Sequence, residues 1–339
     1  MKRVLRILGI VAAAAAAAWT GVWFYAARDM AARIEAWQRE QAAVGIALGW
    51  DALAVEGWPF GWRAVLEKPH AAGAGAAPWR WSGERLVASL DPRDLRKIEF
   101  RLPGEQHVSF GGGDLELVAS LRAAKPRGRL RFDDAGRVAL LALDIAAAEL
   151  QIGGQPPLAA RKFEIELAPQ ADDRLAFSAR VKALRLPAPV AALAALGRDI
   201  QLGEIAGRLE GPVQGATLAK ALATWRDAGG AVEISQARLE WGALRLAGDA
   251  TLALDAQNRP LGAGVARIQG AGETLDALAQ SGAIDARNAG LLKIALAFLA
   301  RNDSGPGGAA SVAIPIAAQD GVLSVHRFSL LRLAPLALE

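Results

Sequence analysis

The chain is 339 residues long, 53% hydrophobic and free of cysteine, which excludes disulfide staples, thiolate catalysis and cysteine-based zinc sites. Its 39 Lys and Arg outnumber 35 Asp and Glu by four, but Lys2, Arg3 and Arg6 precede the first apolar run and supply three of that excess. The remainder is nearly neutral, so the body is not a nucleic-acid-binding one.

From Ile7 to Ala27 the sequence ILGIVAAAAAAAWTGVWFYAA holds 21 residues without a charge. At a rise of 1.5 Å per residue this spans roughly 31 Å, the thickness of a bilayer hydrocarbon core. Lys2, Arg3 and Arg6 precede it without an acidic residue, which keeps the N-terminus cytoplasmic and sends the rest across the membrane. Trp19, Trp23, Phe24 and Tyr25 form an aromatic belt at the far end. A cleaved signal peptide is the competing reading, because poly-Ala offers small residues to a peptidase, but its apolar region is typically about 7–15 residues. The expected localisation is the bacterial inner membrane, single pass, with a periplasmic body. Residues 1–27 are expected to form the tip and anchor, 28–45 an amphipathic helix leaving the membrane, and 46–339 the body, with a sub-boundary near 187.

The helix is read from Met30, Ile34, Trp37 and Gln41 or Val44 at three-to-four spacing, with Gly45 as its cap. The period then becomes alternating. Ile46, Leu48 and Trp50 open a strand, and "LAVE" leads through "GWPFG" into "WRAVLE". Gly57, Pro59 and Gly61 break the strand pattern, so this stretch is predicted to be a turn. "ERLVASL", "KIEFRLP", "HVSF", "DLELVASL", "RLRF", "RVALLAL", "KFEIELA", "RLAFSARV" and "ALRLP" follow as short strands, many separated by turn signals.

Ala188 to Gly197 and Gly215 to Gly230 read as short helices closed by glycine. "IQLGEIAGRLEG" and "AVEISQARLEWGALRLAGDATLALDAQNRPLGAGVARIQG" return to strands. "ETLDALAQSG" and "IDARNAGLLKIALAFLAR" are helical, the second a core helix because Asp285, Arg287 and Lys293 break its apolar run. Asp303 to Gly308 is a loop, and "ASVAIPIAAQ" and "GVLSVHRFSLL" close the chain as strands. The fold class is mainly β (α+β): an N-terminal transmembrane helix followed by an extended antiparallel sheet with several packing helices. A strand–turn–strand pattern recurs in "RLRFDDAGRVALLAL" and "ATLALDAQNRPLGAGVARI", as any meander of hairpins would produce.

Chemistry is sparse. His70, His107 and His326 stand alone, without the spacing that aims two ligands at one metal. No Gly-x-Ser-x-Gly elbow exists, and Ser109 shares a strand face with His107. Phe110 to Asp114 ("FGGGD") lacks the ending of a phosphate loop, and the Asp133-Asp134 and Asp172-Asp173 pairs fall at turns. No catalytic, metal or cofactor residue is assigned. What remains is apolar surface: many strands carry Ala and Leu with a second face that reads as only weakly polar. Such a sheet needs cover from helices, another sheet or a lipid-like ligand. Trp58, Phe60 and Trp62 are the candidate contacts for an apolar ligand or partner, set against a structural corner near the membrane.

The N-terminal span, "GWDALAVEGWPFGWRAVLEKP", "WSGERLVASLDP" with "LPGEQHVSF", the long "LEWGALRLAGDATLALDAQNRPLGAGVARIQG" and the closing "IPIAAQDGVLSV" with "LAPL" resemble the proteobacterial membrane-anchored family catalogued as domain of unknown function 2125. Where that family often carries a Tyr-Arg-Pro-Asn-His-like segment, this chain has "DPRDLRK". The resemblance implies an inner-membrane anchor and a β-rich body, and brings no catalytic residues. A weaker fold-level likeness is to AsmA-like envelope proteins. The expected function is non-enzymatic: binding or sheltering an apolar envelope component such as a lipid. The alternative is an assembly factor docked on an envelope protein, and a third reading is a hydrolase whose site assembles only in three dimensions.

Overall fold

A computed structural model describes residues 2–43, 45–73, 78–91, 94–111, 117–187, 195–213, 218–300, 312–325 and 328–335. Helix α1 (Lys2–Ala43) is continuous from the apolar run through the amphipathic segment, about 63 Å at 1.5 Å per residue. Gly45 follows it at φ 84° and donates its N–H to Ala42 O at 3.2 Å, the left-handed stop that glycine accommodates at least cost.

Alternating sequence then builds one sheet of nineteen strands among the described residues. The first eight are β1 (Ile46–Gly49), β2 (Ala52–Glu56), β3 (Trp62–Glu67), β4 (His70–Gly73), β5 (Trp79–Gly83), β6 (Arg85–Asp91), β7 (Asp94–Arg101) and β8 (Gln106–Phe110). They act as four long strands, each interrupted once. The register that pairs Ala52 with Glu67 in β2–β3 continues as Gly49 with His70 in β1–β4, and that of β3–β6 continues in β4–β5. The interruptions line up as a crease through Asp51, Lys68, Glu84 and Gly104. Lys68 at φ 45° and Gly104 at φ 85° lie on it.

Both arms meet β9 (Leu117–Phe132), whose first half pairs with β8 and whose second half pairs with β7. "RLRF" is therefore not a separate strand. The Lys-Pro-Arg-Gly sequence that reads as a turn runs straight, because Pro126 sits between the two partners, where it accepts from Leu102 N at 3.3 Å and the missing N–H breaks no ladder.

The meander continues through β10 (Val138–Ile152), β11 (Leu158–Gln170), β12 (Arg174–Arg185), β13 (Asp199–Glu210), β14 (Ala231–Trp241), β15 (Leu244–Leu254), β16 (Pro260–Gln269), β17 (Val312–Gln319), β18 (Val322–Val325) and β19 (Phe328–Arg332). From β9 onward each strand pairs antiparallel with the next in sequence. "RLAFSARV" and "ALRLP" are likewise one strand, β12, which absorbs a left-handed residue at Ala183 (φ 50°) without ending. Asp133 and Asp255 close two of the hairpins in the same way. Each accepts two backbone N–H groups at 2.9 Å and pairs with the Arg four residues on.

Helix α2 (Leu218–Asp227) bridges β13 and β14, and Trp225 donates its indole N–H to Glu210 O at 2.7 Å. Helices α3 (Ala271–Gln280) and α4 (Ala286–Ala300) bridge β16 and β17. The helix read at Ala188 to Gly197 and the Asp303 to Gly308 loop lie, apart from the last three residues of the former, outside the described residues. Within residues 286–294 of α4, Leu291, Leu292 and Ile294 are exposed and Ala289 is buried, so this part of the helix is less enclosed than a core helix.

That lack of a second layer is quantitative. A compact monomer of 35.5 kDa exposes roughly 13,000 Å², whereas this chain exposes 21588 Å². Among the described residues no large side chain is fully buried.

Candidate functional site

Antiparallel partners project to the same side of a sheet, so the registers define its two faces. One row runs Val55–Ala64–Ala88–Phe100–Gly128–Leu143–Ile165–Ala179–Ile205–Ala237–Gly248–Ala266–Ile314. The next row on that face runs Trp62–Leu90–Ile98–Leu130–Leu141–Leu167–Phe177–Gly207–Ile234–Ala250–Gly264–Ile316–Val325. Neither row contains a polar side chain. Each crosses about twelve inter-strand gaps of roughly 4.8 Å, some 58 Å in all. Among the described residues, of the large apolar side chains with this orientation only Ile145, Trp241 and Val312 are buried; an enclosed core would bury most of them. Glycines shape the face locally. The Phe100 ring lies across Gly128, where any Cβ would collide with it. Toward β14–β18 the face hollows into a pocket of about 210 Å³ lined by Ile234, Leu252, Gly264, Ile316 and Leu323.

The opposite face is charged, not weakly polar as composition suggests. Its central row reads Val87–Arg101–Arg127–Asp144–Glu164–Arg180–Glu204–Arg238. Lys162 bridges Asp144 at 3.0 Å and Glu164 at 2.7 Å, and Arg180 pairs with Glu204. The hydrogen bonds of Glu164 and Asp144 raise the Lys162 ammonium above its ordinary range. A hydrogen bond from Lys97 likewise holds Glu99 below the usual carboxylate range, with Arg129 and Arg101 adding to the effect. In the rows named here Arg, Asp and Glu fall on one parity and Leu, Ile and Phe on the other, so register sorts them.

The three aromatic residues singled out in the sequence part company. β2 turns into β3 at Gly57–Gly61, where Phe60 N and Gly61 N both donate to Gly57 O at 3.1 Å. Gly57 has φ 110°, and a Cβ there would lie 2.8 Å from Gly61 O; no other residue fits. Trp62 belongs to the apolar row. Trp58 and Phe60 project from the turn, 55% and 90% exposed. The turn docks on α1: Trp19 donates its indole N–H to Pro59 O at 2.8 Å, and Trp23 to Gly61 O at 2.9 Å. Trp62 reaches Trp23 O at 3.5 Å. Trp23 is only 4% exposed, so this junction is packed as well as hydrogen-bonded.

The crease brings together two histidines that are 37 positions apart in sequence. His70 pairs with Ser82, and Ser82 with His107, beside a cleft of about 880 Å³ lined also by Asp51, Lys68, Glu84 and Glu105. Sequence spacing concealed this row because three separate strands build it. His70 Nδ1 contacts Lys68 O at 3.3 Å, and among the described residues neither histidine is hydrogen-bonded to a serine or carboxylate. No group of three His, Asp or Glu among them could hold a metal. His326 lies outside the described residues. Glu105 is held below the usual carboxylate range chiefly by its hydrogen bond from Arg122, with Ser120 and His107 assisting.

Fold and faces define a class: a single-layer antiparallel meander, apolar on one side and charged on the other, led by one helix long and apolar enough to cross a membrane. A family model described as an uncharacterized protein conserved in bacteria, DUF2125, matches residues 23–335, nearly the whole chain, and the chain belongs to that family. No curated protein and no solved structure matches it.

Proposed function

We propose that this is a non-enzymatic, inner-membrane-anchored periplasmic protein that binds or shelters an apolar envelope component, most simply a lipid acyl chain, along the apolar face of its sheet. The observation that carries the reading is the pair of thirteen-strand apolar rows without a covering layer. Uncovered apolar surface of this extent marks an interaction site, and each methylene laid on it contributes about 0.8 kcal/mol.

The aromatic corner supports the same reading. With Ile7–Ala27 in the hydrocarbon, Trp19 lies about 12 Å and Trp23 about 6 Å inward of Ala27. The turn hydrogen-bonded to them therefore reaches from the interface about 6–12 Å into the outer leaflet, with Trp58 and Phe60 directed at lipid. Aromatic side chains with a polar handle favour that zone. Trp62 begins the apolar row there, so the face opens at the membrane.

Cross-linking tests the reading. A photoreactive residue in place of Ile165, in cells, should capture lipid; consistent capture of nothing, or of this chain's own residues, would sink it. The exposed Leu291, Leu292 and Ile294 of α4 favour a second reading, an assembly factor docked on an envelope protein. In that case cross-linkers on α4 should trap one defined protein.

A further inference from the structure

On the charged face, beyond the reading above, a concavity of about 520 Å³ is lined by the Arg85–Glu67 ion pair, by Glu56 and by four further cations. Arg63 of β3, Arg101 of β7, and Lys125 and Arg127 of β9 line it above Val65 and Val87. Arg101 and Arg127 stand directly opposite each other in the β7–β9 register, an arrangement that repels. Three carboxylates on or beside it are already engaged. Glu67 is held by Arg85 at 2.6 Å, Glu99 by Lys97 at 2.7 Å and Asp144 by Lys162 at 3.0 Å. Glu56 pairs with Arg63 in register without an ion pair. Among the described residues, no side-chain hydrogen bond or ion pair within 4 Å reaches Arg63, Arg101, Lys125 or Arg127.

We propose that this concavity binds a phosphate-class anion, either the phosphate of a lipid headgroup or free phosphate. Two facing guanidinium groups offer parallel N–H forks suited to phosphate oxygens, and the anion replaces the missing countercharge. Val65 and Val87 give the non-polar part of a headgroup a surface to rest on. The site is close to the aromatic corner, since Arg63 follows by two residues the Gly61 carbonyl that receives the Trp23 indole.

The full chain in phosphatidylcholine nanodiscs is titrated with inorganic phosphate, and a parallel series raises the phosphatidylglycerol content of the discs, with melting temperature as the readout. Phosphate, phosphatidylglycerol or both should raise it. A response to phosphate shows the free anion suffices, and a response to phosphatidylglycerol alone assigns the headgroup. Arg101→Gln with Arg127→Gln should weaken that response about tenfold or more, with an unliganded melting temperature at or above that of the parent. Arg208→Gln, in a remote ion pair with Glu233, should leave the response intact. If the double variant melts low, Lys125→Gln replaces it, with a several-fold loss expected. The proposal is overturned if neither titrant shifts the melt, or if the shift survives in these variants as it does in Arg208→Gln.

Discussion

Ile205→Asp separates an uncovered apolar face from an ordinary core. Ile205 lies mid-row between Ala179 and Ala237 and is 36% exposed. Fully burying such a side chain contributes about 1.5–3 kcal/mol, so removing two-thirds of that loses about 1–2 kcal/mol, with up to about 1 kcal/mol more for the poorer strand propensity of Asp. The carboxylate itself stays in water, so the lipid-free fold should lose about 2 kcal/mol, a drop of roughly 4–8 °C in melting temperature. Covering the same carboxylate with an acyl chain costs several kcal/mol, so lipid cross-linked from the neighbouring strand, at Ile234, should fall at least tenfold. Thermal melts of delipidated protein and lipid adduct yields measure the two effects. A melt lowered by tens of degrees would mean that Ile205 is core, and an unchanged adduct yield would mean that no lipid lies there.

Trp23→Ala should destabilise by about 3–5 kcal/mol, because Trp23 is buried and bonds Gly61. Trp23→Phe should cost much less, and protease cleavage at Trp58–Gly61 should rise in the first variant only. Gly128→Ala, which drives a methyl into the Phe100 ring, should cost about 1–3 kcal/mol, and Phe100→Leu should relieve it in a double-mutant cycle. Replacing Trp58 and Phe60 together with Ser should leave the melt within about 0.5 kcal/mol, since both are exposed, while weakening fluorescence quenching of the corner by brominated lipids. Lys97 holds the Glu99 carboxyl below its unfolded value, Arg185 does the same for Asp199, and the Arg137 backbone N–H for Asp133. Their stabilisation is therefore complete above the unfolded-chain values near 4 and is lost as pH falls through the lower folded values. Melting temperature should hold from pH 7 to about 5 and drop below about 4.

The turns and most of the strands were legible because their signals are local: Gly57, Pro59 and Gly61 cannot continue a strand, and Asp133 offers its carboxylate to the next backbone donors. β4 and β5 were not read as strands, since "HAAG" and "WRWSG" are short and rich in small or polar residues. The crease was also hidden. Ala147 and Ala183 take left-handed conformations that alanine adopts only when neighbouring strands impose them. Which face each residue occupies depends on register, which no single strand encodes. The Arg101–Arg127 juxtaposition and the His70–Ser82–His107 row are invisible for the same reason. The corner was recognised, but its hydrogen bonds to Trp19 and Trp23 join residues 38 to 40 positions apart.

The central claim is that lipid lies along the apolar face well away from the bilayer. Ile234 stands eight strand gaps, roughly 38 Å, from Trp62, while Arg238, on the same strand, belongs to the charged row. A photoreactive residue placed at each position in cells, followed by mass spectrometry of the cross-linked peptide, tests it. Lipid-mass adducts from Ile234 and not from Arg238 are the predicted result, and no lipid adduct from Ile234, or equal adducts from both, would contradict it.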